Sequence, residues 1–72
     1  MKIRYGLIRD KVTDEDGELR TVYGIEVKKE GRVLRTVSDV FTEKETAEYY
    51  IGLFNTLGLS PIHLDDVLED IL

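Results

Sequence analysis

The sequence predicts an α+β fold, a three-stranded antiparallel β-meander followed by two α-helices packed on one face (βββαα), and three observations carry that prediction. Apolar and polar residues alternate through the first half of the chain, two glycine-bearing polar turns interrupt the alternation, and the apolar period lengthens to helical spacing after Thr42. A chain of 72 residues builds one hydrophobic core, so residues 1–72 are read as a single domain.

From Lys2 to Val12, Ile3, Tyr5 and Leu7 alternate with Lys2, Arg4 and Gly6, the pattern of a half-buried strand. Thr13 to Glu18 is a polar turn in which Gly17 supplies the positive φ of a three-residue loop, Glu15-Asp16-Gly17, closed by a bulge. The second strand runs from Leu19 to Lys28 with Tyr23, Ile25 and Val27 on one face, and ends at Lys29-Glu30-Gly31, whose glycine placement repeats the first loop. A three-residue first loop sets Tyr5 opposite Val27 and Leu7 opposite Ile25, so both apolar stripes share a face; a two-residue loop would oppose Leu7 to Glu26. The third strand spans Arg32 to about Val40. Three loop residues before it would put Val33, Arg35 and Val37 on the core face, two would put Leu34 and Thr36 there, and the pattern admits either.

Thr42-Glu43-Lys44-Glu45 has the form of a capping box, placing the first helix start at Thr42. Ala47, Tyr50, Ile51, Phe54 and Leu57 form its apolar stripe and Gly58 its left-handed end. Tyr49 and Tyr50 adjoin, so one of them lies at the core margin. Ser60 and Pro61 suit the N-cap and first position of a second helix, with Leu59 packing on Leu64 as a staple and Leu64, Val67, Leu68 and Ile71 marking one face.

Charge is unevenly divided. Residues 1–41 carry nine Lys or Arg and eight Asp or Glu, whereas residues 42–72 carry one Lys and seven acids. A near-neutral front and an acidic back give no general attraction to nucleic acid or anionic lipid, and favour partners with basic surfaces. The amino terminus enters a charged strand pattern at once, with no apolar run of the length a signal peptide or membrane span needs, so a cytoplasmic location is expected. Without cysteine and with a single histidine, disulfide frameworks, thiolate nucleophiles and the usual soft-metal clusters are excluded, and no cofactor is expected.

His63 is the one side chain that titrates near neutral pH, yet it falls in the first turn of the second helix, where the positive helix end disfavours its charged form. Asp65, Asp66, Glu69 and Asp70 spread over more than one side of that helix and read as a solvated face rather than a cation site. Asp14-Glu15-Asp16-Gly17 lacks the alternating ligands of a calcium loop and reads as a turn; no phosphate loop or nucleophile elbow occurs.

Taken together, Tyr23-Gly24-Ile25-Glu26-Val27, the strand-turn-strand around it, the tail Leu59-Ser60-Pro61-Ile62-His63-Leu64, and the Asp66-Val67 and Glu69-Asp70 pairs resemble a family of small uncharacterised bacterial proteins found mainly among clostridia and related Firmicutes. The resemblance covers nearly the whole chain, implies a compact cytoplasmic protein, and carries no substrate or catalytic residue over to this sequence.

The expectation is a noncatalytic protein-interaction or assembly module, self-associating as a homodimer, because a chain this small has no covalent staple and more apolar residues than one sheet face absorbs. Ile8, Val22 and Leu34 would anchor the second sheet face with Arg4 and Arg20 at its border, and Leu68, Ile71 and Leu72 would anchor the edge of the second helix. Nucleic-acid binding through Lys2, Arg4, Arg20, Lys28 and Arg35 is the alternative, which the acidic helices oppose; a small enzyme pairing His63 with Asp66 is the third.

Overall fold

The computed structural model describes residues 2–72, in which the alternating half of the chain forms three strands, β1 (Ile3–Thr13), β2 (Leu19–Lys29) and β3 (Arg32–Phe41). They form one antiparallel sheet of order β1-β2-β3, followed by helices α1 (Lys44–Leu57) and α2 (Leu64–Ile71), the second entered through a 3-10 turn at Pro61–His63. The predicted α+β meander with two helices is the observed architecture.

The first hairpin follows its turn chemistry. Asp14 Oδ1 accepts from the amides of Asp16 at 3.0 Å and Glu18 at 2.9 Å, Gly17 takes φ 80°, and the resulting register pairs Tyr5 with Val27 and Leu7 with Ile25. The second hairpin departs from the expected repeat of that loop. Glu30 and Gly31 both take positive φ, 51° and 81°, forming a two-residue connection of the kind that matches strand twist. An extra residue at Leu34 then shifts the register, so that Arg35 pairs with Val27 and Val37 with Ile25. The loop has the length of the two-residue alternative, but the bulge cancels its consequence: Arg35 and Val37 lie on the helix side, Thr36 pairs with Glu26 on the other, and Leu34 and Val33 stay exposed.

A larger irregularity follows. Between Ile25↔Val37 and Tyr23↔Phe41 the central strand spends one residue, Gly24, while β3 spends three, Ser38 to Val40, with Asp39 at φ 56°. Phe41 thereby reaches the core, where its ring stacks on Tyr50 at 5.7 Å with an interplanar angle of 7°. Ending β3 at Phe41 displaces the helix start from Thr42. Glu43 is the N-cap, the Ala47 amide donates to its carbonyl at 3.1 Å, and Thr46 Oγ1 donates to its carboxylate at 3.5 Å. The phase is set by Ala47, Ile51 and Phe54, which must face the sheet. At the other end Gly58 (φ 64°) closes the helix as predicted, with Leu59 N–H bonding the Phe54 carbonyl at 3.0 Å.

The core lies between the helices and one sheet face, built on Tyr5, Ile25, Val27, Phe41, Ala47, Ile51, Phe54, Leu64 and Leu68. Burying Leu64 and Leu68 contributes roughly 3–6 kcal/mol, which holds in place a helix too short to form alone. Leu59 is partly buried against the same cluster that holds Leu64.

Candidate interaction surface

Both helices sit on one side of the sheet, and they do not cover its length. An eleven-residue strand runs about 36 Å and a fourteen-residue helix about 21 Å, so the Asp14–Glu18 end of the first hairpin outruns the helix layer along a molecule 44 Å in its long dimension.

At the opposite end, β1 is latched to α1. Asn55 Oδ1 accepts the Tyr5 amide at 2.8 Å, and Asn55 Nδ2 donates to the Tyr5 carbonyl at 2.9 Å, so the carboxamide occupies the place of a neighbouring strand. The Tyr5 hydroxyl reaches past it to donate to the Leu59 carbonyl at 2.6 Å, and burial pushes its pKa above the ordinary tyrosine value. On the other edge, Arg35 Nη2 donates to Asp65 Oδ1 at 2.5 Å, tying β3 to α2; this hydrogen bond raises the Arg35 pKa and holds the Asp65 carboxyl below its usual range.

Beside the latch lies a groove of about 560 Å³ where the start of β1, the end of β2, the bulge in β3 and the turn between the helices meet. Ile3, Leu34, Leu59, Pro61 and Ile62 supply its apolar lining. Ile62 is 81 % exposed and Leu34 is 53 % exposed, and Lys2 and Lys29 are the two charged residues that border the groove. Leu34 reaches this position because the bulge turns it out of the ladder. Ile62 reaches it because the 3-10 turn directs it away from the face marked by Leu64 and Leu68.

The residues singled out from sequence divide unequally. Leu34 joins the groove, whereas Val22 is 5 % exposed beside the β3 irregularity and Leu68 is 6 % exposed in the core, so neither offers surface. Ile8 is half-buried across Gly24, Ile71 is half-buried against the core, and Leu72 is exposed. On the open face the cations do not stand alone: Arg4, Arg20 and Lys28 share it with Asp10 and Glu26, Lys28 Nζ lies 3.3 Å from Glu26 Oε1, and Arg35 belongs to the helix side. His63 and Asp66 are both exposed, and among the described residues no hydrogen bond joins them. Tyr50 packs on the core while Tyr49 is the exposed member of its pair. Ile62 and the Asn55 latch were not anticipated. The available signals were an apolar residue off the helical stripe at Ile62 and a polar residue bordering the stripe of the first helix at Asn55, four residues after Ile51.

Sheet, latch and groove define a small α+β domain with helices on one face of a meander and part of the sheet left open. The chain belongs to the family of unknown function DUF6514, which it matches over residues 1–72. No curated protein and no solved structure matches it. Among the described residues no helix is long and apolar enough to cross a membrane.

Proposed function

We propose that this is a noncatalytic self-association module, a homodimer of a bacterial, clostridial-type protein working in the cytoplasm, and that the groove holding Leu34 and Ile62 is its contact surface. The observation that carries the reading is an exposed apolar pair in a concave site bordered by Lys2 and Lys29, on a chain whose net charge is −5. Helix α2 starts just after Ile62 and carries Asp66, Glu69 and Asp70 on exposed positions. A two-fold axis near Ile62 would bring the acidic helix of each copy toward the lysines of the other, since an isologous interface repeats each contact in both directions. Apolar centre and charged rim are the usual division of labour in such a contact.

Light scattering over a concentration series tests this. The expected mass rises toward twice that of the chain, and Ile62→Asp or Leu34→Asp returns it to the monomer, while Leu19→Asp, at the far end of the first hairpin, leaves it unchanged. A wild-type mass equal to the monomer at every concentration would sink the self-association reading.

A further inference from the structure

The Asn55 latch occupies the β1 edge at Tyr5 and stops there. Because the Tyr5 amide and carbonyl face Asn55 rather than β2, and because the β1–β2 register is unbroken from Ile3 to Thr13, the same groups of Leu7, Arg9, Lys11 and Thr13 also point away from β2. The Asp14 amide, one residue on, bonds Glu18 in the opposite direction, as that parity requires. Arg9 through Thr13 are exposed throughout. A run of ladder groups is thus left open beyond the helix layer.

Its side chains specify what can pair with it. Arg9 and Lys11 project on the helix side; Ile8, Asp10 and Val12 project on the other. A second β1 strand fits badly. Registers that keep the open groups opposite one another set Lys11 against Lys11, or Asp10 against Asp10 with Arg9 against Lys11, or Arg9 against Arg9, and like charges directly opposed are destabilising. The next register runs into the latch at Tyr5.

We infer that the open half of β1 is a strand-addition site for an extended acidic segment of another protein, carrying two acidic side chains at alternate positions opposite Arg9 and Lys11. The full complement, read antiparallel against Val12 to Ile8, is apolar, acidic, basic, acidic, apolar. Backbone bonds to the free ladder supply attraction, and the two cations select the sequence while repelling a second copy. This site is separate from the groove of Leu34 and Ile62 and does not depend on it.

The test is fluorescence anisotropy of a labelled peptide containing Val-Glu-Lys-Glu-Val, titrated with the full chain at low ionic strength. Saturable binding is expected, weakened about tenfold or more by Arg9→Glu with Lys11→Glu, by a scrambled peptide of the same composition, and by N-methylation of the peptide amides that meet the ladder; Ile62→Asp leaves it unchanged. Circular dichroism of each variant establishes that the fold is retained. Absence of saturable binding, or equal binding of the scrambled or N-methylated peptide, would overturn the proposal, as would loss of a wild-type dimer in Arg9→Glu, which would make a second copy the occupant.

Discussion

Replacing Gly24 by alanine tests how closely β3 crosses the central strand. A Cβ at this position would press into the Val37 carbonyl oxygen, well inside van der Waals contact, and would lie 3.1 Å from both Cδ1 and Cγ1 of Ile8. The isoleucine can rotate away, but the carbonyl belongs to a strand backbone held by the Ile25↔Val37 pair and cannot move without opening the ladder. The strain therefore falls at the upper end of the roughly 1–3 kcal/mol typical of overpacking, about 3 kcal/mol. A domain of this length has a folding free energy of about 4–11 kcal/mol at roughly 0.05–0.15 kcal/mol per residue, so the substitution removes a large share of it. At about 4–8 °C per kcal/mol, the melting temperature falls by about 12–24 °C. Gly6→Ala is the matched control, on the same sheet face with nothing within 4 Å of its would-be Cβ, and is expected to be neutral or stabilising by up to about 1 kcal/mol. Urea unfolding followed by circular dichroism reads both, with the midpoint shifting and the slope unchanged. Should Gly24→Ala unfold at the same urea concentration as Gly6→Ala, the close approach of β3 over Gly24 is wrong.

Three further outcomes follow from the edges of the sheet. Asn55→Ala leaves the Tyr5 amide and carbonyl to water and should cost about 2 kcal/mol, about 1 kcal/mol for each lost bond, with faster hydrogen exchange at the Tyr5 amide as the local readout. Tyr5→Phe loses the bond to Leu59 and about 1 kcal/mol, but it also removes a group whose folded pKa is raised. The tyrosine contribution is complete below its ordinary pKa and declines as pH rises through the folded value, so stability measured above about pH 10 should fall more steeply for the wild type than for the variant. Asp65, with its folded pKa lowered by Arg35, contributes above the ordinary carboxylate range and loses that contribution as pH falls through the folded value; Arg35→Ala should return the Asp65 titration, followed by carboxyl NMR, to the normal range.

The first hairpin was legible in the sequence because turn chemistry and side-chain alternation agree: Asp14 and Gly17 fix the loop, and only that loop puts Leu7 and Ile25 on one face. The second was not, because Glu30 in a left-handed conformation leaves no mark in the pattern and the bulge at Leu34 cancels the register error the short loop introduces. The helix start moved from Thr42 to Glu43 for a tertiary reason, the demand of Phe41 for a place against Tyr50. Surface anchors were the least legible. Val22 reads as an outward strand residue and is covered where β3 turns over the sheet, whereas Ile62 matters because a short 3-10 turn carries it clear of the helical stripe. Local alternation gives the side of a sheet on which a residue lies; it does not say what later folds across that side.

The latch joins residues 50 apart in the chain. At about 5–20 residues per second, the ribosome adds that length in roughly 3–10 s, and an exit tunnel must be cleared as well. Both hairpins can close during that interval, since each is local, but the Tyr5 edge waits for an asparagine not yet synthesised. The nascent meander thus passes through a period with its whole first strand open along one side, and the completed chain differs from it less in the sheet itself than in which half of that side remains available.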